Sequence, residues 1–297
     1  MTATSDLLAN AVEGCIDVPG GTVWYRSVGE GEPLLLLHGG PGGPSDYLES
    51  LMSLAEQGYQ VVRYDQLGCG KSDQPDDASL WTVDHFCQEV DVVRAALGFE
   101  RMHLLGQSWG SFLALEYALT HPERLQTMTL YSGAASTLQC FDGMNRLRNQ
   151  LPAETVATMA RYEAAGDYDN PAYLAAVQIL LDRHLCRVQP WPEELVQSMN
   201  DIGHAVYHTM WGPNEFTLTG NLASWDRRDR LSEIDTPTLI VCGRYDEVIP
   251  ECSETMHAGI RNSKLEIFEH SSHTCHLEEP ESFFPLLTGF LKDHPIR

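Results

Sequence analysis

The sequence predicts an α/β fold in which a mostly parallel central sheet is flanked by helices, with a helical cap inserted after the sixth core strand. Short apolar runs alternate with helical patterns over most of the 297 residues, as expected for a parallel sheet that is covered on both faces. This alternation stops in the middle of the chain, where no convincing strand occurs. A chain of this length can also bury a large apolar core.

Short segments with the composition of strands recur along the chain. The predicted strands are Cys15–Val18, Thr22–Val28, Leu34–Leu37, Val61–Tyr64, Met102–Leu105, Thr127–Tyr131, Leu239–Cys242 and Leu265–Phe268. The first two flank Pro19-Gly20-Gly21, which is typical of a hairpin turn. The later segments are continuous apolar runs, which predicts strands that are buried on both faces.

Helical patterns separate these strands. The predicted helices are Ser45–Gln57, Val83–Leu97, Trp109–Leu119, Ser253–Ile260 and Glu281–Leu291. Ser45 and Asp84 are the predicted N-caps, because their side chains can accept hydrogen bonds from the first turn. Alternating strands and helices predict right-handed crossovers and therefore parallel neighbours.

The middle segment indicates several short helices separated by prolines. These prolines are Pro152, Pro171, Pro190, Pro192 and Pro213. We interpret the segment as a cap over the sheet. The predicted domains are a core formed by residues 1–137 and 225–297, and a helical cap formed by residues 138–224.

The charge balance limits the classes of partner. Nineteen basic against 42 acidic residues give a formal net charge of −23, which argues against binding nucleic acid or an anionic membrane. The charge suits cationic ligands. The N-terminus lacks the features of a signal peptide, and no apolar run reaches the roughly 18 residues needed to cross a membrane. We therefore expect a soluble cytoplasmic protein.

The eight cysteines form no C-x-x-C pair. This spacing disfavours a zinc ribbon or a thioredoxin-like redox site. Several of the cysteines lie within apolar runs, so we expect buried, reduced thiols.

A candidate nucleophile lies in the string Gly106-Gln107-Ser108-Trp109-Gly110. An apolar strand precedes it and a helical pattern follows, which is the setting that G-x-S-x-G requires. Its glycines allow the strand and helix to approach closely, so that the serine hydroxyl stands clear of the backbone. A chance Gly-Ser turn is the alternative, but this context favours Ser108 as a nucleophile.

A serine nucleophile requires hydrogen-bond donors for the developing oxyanion. The strand Leu34–Leu37 ends in His38-Gly39-Gly40-Pro41-Gly42-Gly43. One donor commonly comes from a loop after an early strand and the other from the residue after the nucleophile. We therefore predict an oxyanion hole formed by the backbone N–H groups of Gly40 and Trp109. A flexible glycine loop or a phosphate cradle is the alternative, although the spacing does not fit G-x-G-x-x-G.

The acid and the base should follow the nucleophile in chain order. Asp246 follows the strand Leu239–Cys242, and His273 follows the strand Leu265–Phe268. Because the carboxyl ends of parallel strands share one edge, both residues should lie near Ser108. We predict that His273 takes the serine proton and that Asp246 orients and stabilises the imidazole.

Two alternatives remain at this edge of the sheet. Glu247 competes with Asp246 as the acid. His270, His273 and His276 are spaced by three residues, which could indicate a metal site, but no carboxylate or cysteine supports them at ligand spacing. We expect no metal and no cofactor, because acyl transfer through a serine ester requires neither.

Five strings together carry a resemblance to a known family. They are HGGPGG, YDQLGCGKSDQP, GQSWGS, GRYDEVIP and SSHTCHLEEP. Together they resemble the proline iminopeptidases of the α/β-hydrolase fold, and Met210–Phe216 of the cap strengthens the likeness. The resemblance spans nearly the whole chain. It looks especially like the branch that contains the tricorn-interacting aminopeptidase.

The resemblance implies further site residues. Glu215 in the cap and Glu247 match the carboxylates that hold the free α-ammonium of the substrate. A desolvated ammonium does need carboxylate acceptors. The alternatives are a solvated cap carboxylate for Glu215 and a helix-start residue for Glu247. Many strict proline iminopeptidases carry an arginine where this chain has Leu67, which puts a strict preference for proline in doubt.

We therefore expect a serine hydrolase that releases an N-terminal amino acid, proline and/or other apolar residues, from short peptides or amino-acid amides. The alternative is an amino-acid amidase, or an esterase or lactonase that acts on a small pathway metabolite, because the same triad serves all of them. The expected partners are peptides or amides with a free N-terminus, and neither nucleic acid nor membrane.

Overall fold

The computed structural model describes residues 10–296 and contains one central sheet. The strands are β1 (Val12–Val18), β2 (Gly21–Val28), β3 (Glu32–Leu37), β4 (Tyr59–Tyr64), β5 (Met102–Gln107), β6 (Leu125–Tyr131), β7 (Thr238–Gly243) and β8 (Ser263–Phe268). Their order across the sheet is β1-β2-β4-β3-β5-β6-β7-β8. β2 pairs antiparallel with β1 and β4, and all other neighbours are parallel. The predicted fold class is confirmed.

Helices connect most of these strands. The α-helices are α1 (Val83–Ala96), α2 (Trp109–Thr120), α3 (Thr137–Arg148), α4 (Ala153–Ala165), α5 (Pro171–His184), α6 (Glu193–Asn200), α7 (His204–Met210), α8 (Pro250–Gly259), α9 (Cys275–Glu278) and α10 (Pro280–Lys292). The 3₁₀ helices are Ser45–Gln57, Ala78–Leu80, Pro122–Arg124, Asn221–Ser224 and Arg228–Glu233. Among residues 10–296 there is no helix with the length and apolar character that a membrane crossing requires.

The sheet separates two apolar layers. Leu35 and Leu37 of β3 face the layer that α1, α2 and α8 cover, whereas Leu34 and Leu36 face the layer beneath Ser45–Gln57 and α10. This alternation follows from the two-residue period of a strand. The apolar part of β3 is therefore buried on both faces, as predicted. For β8 this prediction is wrong, because the strand lies at the edge of the sheet and is partly exposed.

Both predicted N-caps are wrong. Pro44 occupies the cap position before the first helix, and Ser45 is already inside that helix. The N–H and hydroxyl groups of Ser45 both donate to Oδ1 of Asp65, at 2.8 and 2.6 Å. Thr82, not Asp84, caps α1, because its hydroxyl accepts the N–H of His85 at 3.2 Å.

The helices α3 to α7 lie between β6 and β7, which confirms a helical insertion after the sixth strand. Ser136 and Asp226 form an antiparallel bridge near the two ends of the insertion. Part of the insertion has its own apolar cluster, which includes Met159 and Tyr173. In contrast, Val206 of α7 packs into the main core. The proposed cap of residues 138–224 is thus attached firmly to the sheet.

Candidate active site

Ser108 occupies a sharp turn between β5 and α2. Its φ of 55° and ψ of −121° lie outside the usual regions for a non-glycine residue. Two backbone hydrogen bonds hold this conformation: the N–H of Ser108 donates to the carbonyl of Tyr131, and its carbonyl accepts from Ser111, both at 2.9 Å. Its side chain does not cap α2, which leaves the hydroxyl available for chemistry.

The glycines on either side of Ser108 make this turn possible. A Cβ atom on Gly106 would lie 2.0 Å from the carbonyl oxygen of Gly110, and one on Gly110 would lie 2.2 Å from the carbonyl oxygen of Leu37. The start of α2 therefore lies directly against the ends of β5 and β3. Ser108 is brought next to the glycine loop that follows β3.

The loops after β7 and β8 bring Asp246 and His273 together. Nδ1 of His273 donates to Oδ1 of Asp246 at 2.7 Å. The same carboxylate oxygen accepts the N–H of Val248 at 2.8 Å, which fixes the carboxyl group. Burial lowers the pKa of His273, but the charges of Asp246, Glu247 and Glu215 outweigh burial and raise this pKa to about 9.

Gly40 and Trp109, the predicted oxyanion donors, both line a cavity that Ser108 also lines. Gly40 has a φ of 115°, and a Cβ atom there would lie 2.4 Å from the nitrogen of Gly43. Trp109 is the first residue of α2, where a backbone N–H has no intrahelical acceptor. Within residues 10–296 neither amide has a hydrogen-bond acceptor. Both donors are thus available to an oxyanion.

Glu215 and Glu247 form a pair of carboxyl groups beside Ser108. Oε1 of Glu247 lies 3.8 Å from Nε2 of His273, and Oε2 is buried without a partner among the described residues. Oε1 of Glu215 accepts the hydroxyl of Tyr207 at 2.5 Å. Burial raises the pKa of both carboxyl groups, whereas the charge of a protonated His273 lowers it and favours their ionised form. A bound cation would offset the free-energy cost of ionising these buried carboxyl groups.

Two cavities share Ser108 in their lining. The larger, of about 670 Å³ including its mouth, is also lined by His273 and by apolar cap residues, which include Leu181 and Met199. The smaller, of about 370 Å³, is walled by Trp109, Phe112, Met144, Trp211 and Leu222. Gly40, Ser108, Glu215 and Glu247 line both cavities. The structure therefore brings every predicted site residue to one place.

Comparison with known proteins identifies the family of this chain. The α/β hydrolase fold family matches residues 32–280. The proline iminopeptidase of Saccharolobus solfataricus is 40% identical over 269 residues, which cover 90% of this chain and 87% of that protein. The chain belongs to the proline iminopeptidase family of α/β hydrolases. The resemblance predicted from its motifs is confirmed, and the chain is a serine aminopeptidase of this family.

Solved structures extend the likeness to three dimensions. The crystal structure of the proline iminopeptidase of Mycobacterium smegmatis is 37% identical with a TM-score of 0.88, and the match covers 95% of this chain and 98% of that one. The crystal structure of VinJ is 36% identical with a TM-score of 0.92, and covers 95% and 99%.

The other two histidines of the predicted trio have separate surroundings in this protein. His270 is exposed. His276 is buried, and its ring nitrogens bond to the hydroxyl of Tyr131 at 2.9 Å and the carbonyl of Tyr47 at 3.0 Å. His276 is therefore part of the buried structure and not a surface residue. In the part of the chain that the structure describes, no three His, Cys, Asp or Glu side chains are grouped to hold a metal.

The aromatic side chains of the cap differ in what they contact. Trp211 lines the smaller cavity, as a substrate pocket would require. Phe216 packs in the cap cluster, and Trp191 donates to the carbonyl of Cys186 at 3.0 Å. Leu67, the departure from the motif of many strict proline iminopeptidases, is fully buried in the main core and lines neither cavity.

Sequence reasoning missed the hydrogen bonds that connect the three loops of the site. The hydroxyl of Tyr47 accepts the N–H of Gly39 at 2.8 Å and donates to Oε1 of Gln107 at 2.5 Å. Nε2 of Gln107 donates to the carbonyl of His273 at 3.1 Å. Of the two side chains that make these bonds, only Gln107 could have been found from the sequence, because it lies inside the serine motif. Tyr47 belongs to no motif.

Proposed function

We propose that the enzyme releases an N-terminal amino acid, proline or another apolar residue, from short peptides and amino-acid amides. The observation that supports this proposal best is the pair Glu215 and Glu247 beside Ser108. Neither cavity has a lysine or arginine among the described residues that line it. Two carboxyl groups taken out of water favour a cationic ligand. The α-ammonium of a peptide is such a cation.

In this proposal Ser108 Oγ attacks the scissile carbonyl while Nε2 of His273 takes its proton. The N–H groups of Gly40 and Trp109 stabilise the oxyanion. His273 then donates the proton to the leaving nitrogen as the C–N bond breaks, which leaves an acyl ester on Ser108. Water, deprotonated by His273, hydrolyses the ester. Asp246 holds the imidazole in the required tautomer throughout.

Binding the ammonium also fixes the position of cleavage. The α-nitrogen is two bonds away from the first carbonyl carbon of a peptide. A substrate anchored at Glu215 and Glu247 therefore presents its first carbonyl, and no later one, to Ser108. This geometry accounts for an exopeptidase that removes one residue at a time.

The walls of the smaller cavity support an apolar first residue. Phe112, Trp211 and Leu222 supply apolar surface next to Glu215 and Glu247. Burying a ring such as that of proline against these side chains is favourable by about 25 cal/mol per Å² of apolar area. The relatives named proline iminopeptidase support proline itself as one of the accepted residues.

Release from prolyl-, alanyl- and phenylalanyl-anilides, each free and N-acetylated, tests the proposal. We expect turnover of the free amines only, and a decline above roughly pH 8, where an α-amino group loses its charge. Ser108→Ala should abolish turnover and keep the melting temperature within a few degrees.

Equal turnover of acetylated and free anilides would contradict the amine-binding role of the two glutamates. Cleavage of simple esters by Ser108, with no anilide turnover, would instead favour the esterase or lactonase alternative.

A further inference from the structure

We propose that Glu247 keeps His273 protonated and inactive while the site is empty, and that the substrate ammonium frees His273 by taking Glu247 as its own partner. This inference rests on the proposed function. In this inference the free amine of the substrate both binds to the site and activates the catalytic base. Glu247 then acts on catalysis through His273, as a positioning residue.

The geometry around the imidazole carries this inference. Nδ1 of His273 is held by Asp246 at 2.7 Å. Nε2, the nitrogen that must take the proton of Ser108, lies 3.8 Å from Oε1 of Glu247. His273, Asp246 and Glu247 are 3%, 1% and 7% exposed, so water screens these charges poorly. An imidazolium between two carboxylates is therefore stabilised, and it cannot accept a further proton.

The other groups around the imidazole add to this effect or are neutral. Glu215 of the cap adds a third negative charge that raises the pKa of His273. His276 of α9 is neutral at physiological pH, because burial lowers its pKa to about 4. Burial likewise lowers the pKa of His184, whose carbonyl accepts the N–H of His273 at 3.2 Å.

Two protonated groups complete the surroundings. Burial raises the pKa of the Tyr47 hydroxyl and of the Cys275 thiol well above neutrality, so neither contributes charge. The raised pKa of about 9 for His273 thus reflects the carboxylates alone.

Glu247 is also free to change partners. Its Oε2 is buried and has no hydrogen-bond partner among residues 10–296, and Glu247 lines both cavities. An ammonium bound there compensates the charge that had stabilised the imidazolium. His273 then releases its Nε2 proton to solvent and can accept the proton of Ser108. A substrate without an amine leaves the imidazolium in place.

The hydrolysis of 4-nitrophenyl propionate, an ester with no amine, tests this inference. We expect kcat/KM of the wild type to rise with pH towards about 9, as His273 loses its proton. In Glu247→Gln the midpoint should fall by about one pH unit, which raises the rate at neutral pH about tenfold. The same variant should lose turnover of prolyl-anilide. Glu154 is an exposed residue of the cap, and Glu154→Gln is the matched control. This variant should change neither the pH profile of ester hydrolysis nor the turnover of prolyl-anilide.

The outcomes separate this inference from the proposed function. Loss of prolyl-anilide turnover with an unchanged ester profile in Glu247→Gln would overturn the release of His273 and leave amine binding intact. Retention of prolyl-anilide turnover by that variant would contradict the proposed function itself.

A second measurement does not depend on the stability of the Glu247 variant. In ¹⁵N-histidine-labelled Ser108→Ala at neutral pH, His273 should give the NMR signal of an imidazolium. L-Prolinamide should convert it to the neutral ring, and N-acetyl-L-prolinamide should not. A neutral signal in the empty protein, or no change with L-prolinamide, would refute the inference.

Discussion

Asp246 shows how a single residue serves the site through its hydrogen bonds. Its Oδ1 accepts from both His273 and the backbone N–H of Val248, at 2.7 and 2.8 Å. The second bond prevents the carboxyl group from rotating, and burial strengthens its interaction with the imidazole. The same carboxyl group therefore orients the imidazole and supplies the compensating charge.

Asp246→Asn should lower kcat for prolyl-anilide on the order of 10⁴-fold with little change in KM. An amide is nearly isosteric with the carboxyl group, but it carries no charge to stabilise an imidazolium. Steady-state kinetics and a thermal melt test this expectation, with the exposed Glu251→Gln as the control. A loss of less than tenfold would contradict the role of Asp246.

At the scale of elements, the site depends on how closely helix α2 approaches the sheet. Gly110 lies in the first turn of α2, against the carbonyl of Leu37. Gly289, in α10, has open space where a Cβ atom would be. Both are helical glycines, so they differ in their surroundings more than in their backbone.

Gly110→Ala should therefore destabilise the protein by about 1–3 kcal/mol, because the added methyl group overlaps backbone atoms. Gly289→Ala should stabilise it by up to about 1 kcal/mol, because alanine is the better helix former. Urea unfolding followed by circular dichroism measures both. Equal effects of the two variants would show that close packing at the turn around Ser108 has no bearing on stability.

Element boundaries show where sequence reasoning succeeded. Every predicted strand is present, and each is longer than predicted, because polar residues such as Glu32 also pair in the sheet. Sequence reasoning failed at helix starts. Ser45 has the right chemistry for a cap, but Asp65 of another loop binds it. Local propensity cannot anticipate a partner 20 residues away.

At the scale of the whole molecule, the net charge of −23 affects how substrates arrive. An acidic protein attracts cations over a distance that salt reduces to about 10 Å at 0.1 M ionic strength. The two glutamates of the site have the same sign as the surface. A cationic peptide is thus favoured both on approach and on binding.

Increasing ionic strength should lower kcat/KM for prolyl-anilide at neutral pH, where its amine is charged. It should leave kcat/KM for 4-nitrophenyl propionate nearly unchanged, because that ester is neutral. Salt titrations of both substrates with one enzyme preparation make the comparison. Parallel salt dependences would rule out electrostatic attraction of the substrate.

The sequence by itself determined the sheet, the helical insertion and the residues that match the family motifs. These features depend on periodicity and on short strings, which are properties of neighbouring residues. The same local information placed Ser108, Asp246 and His273 at the ends of strands.

Only the tertiary structure decided how these residues act on one another. The 3.8 Å approach of Glu247 to His273, the contact of Tyr207 with Glu215, and the bonds of Tyr47 join segments that are distant in sequence or lack motifs. Such contacts depend on how the elements pack. Burial then determines how strongly the charged groups of the site interact. Neither quantity is a property of a short stretch of sequence.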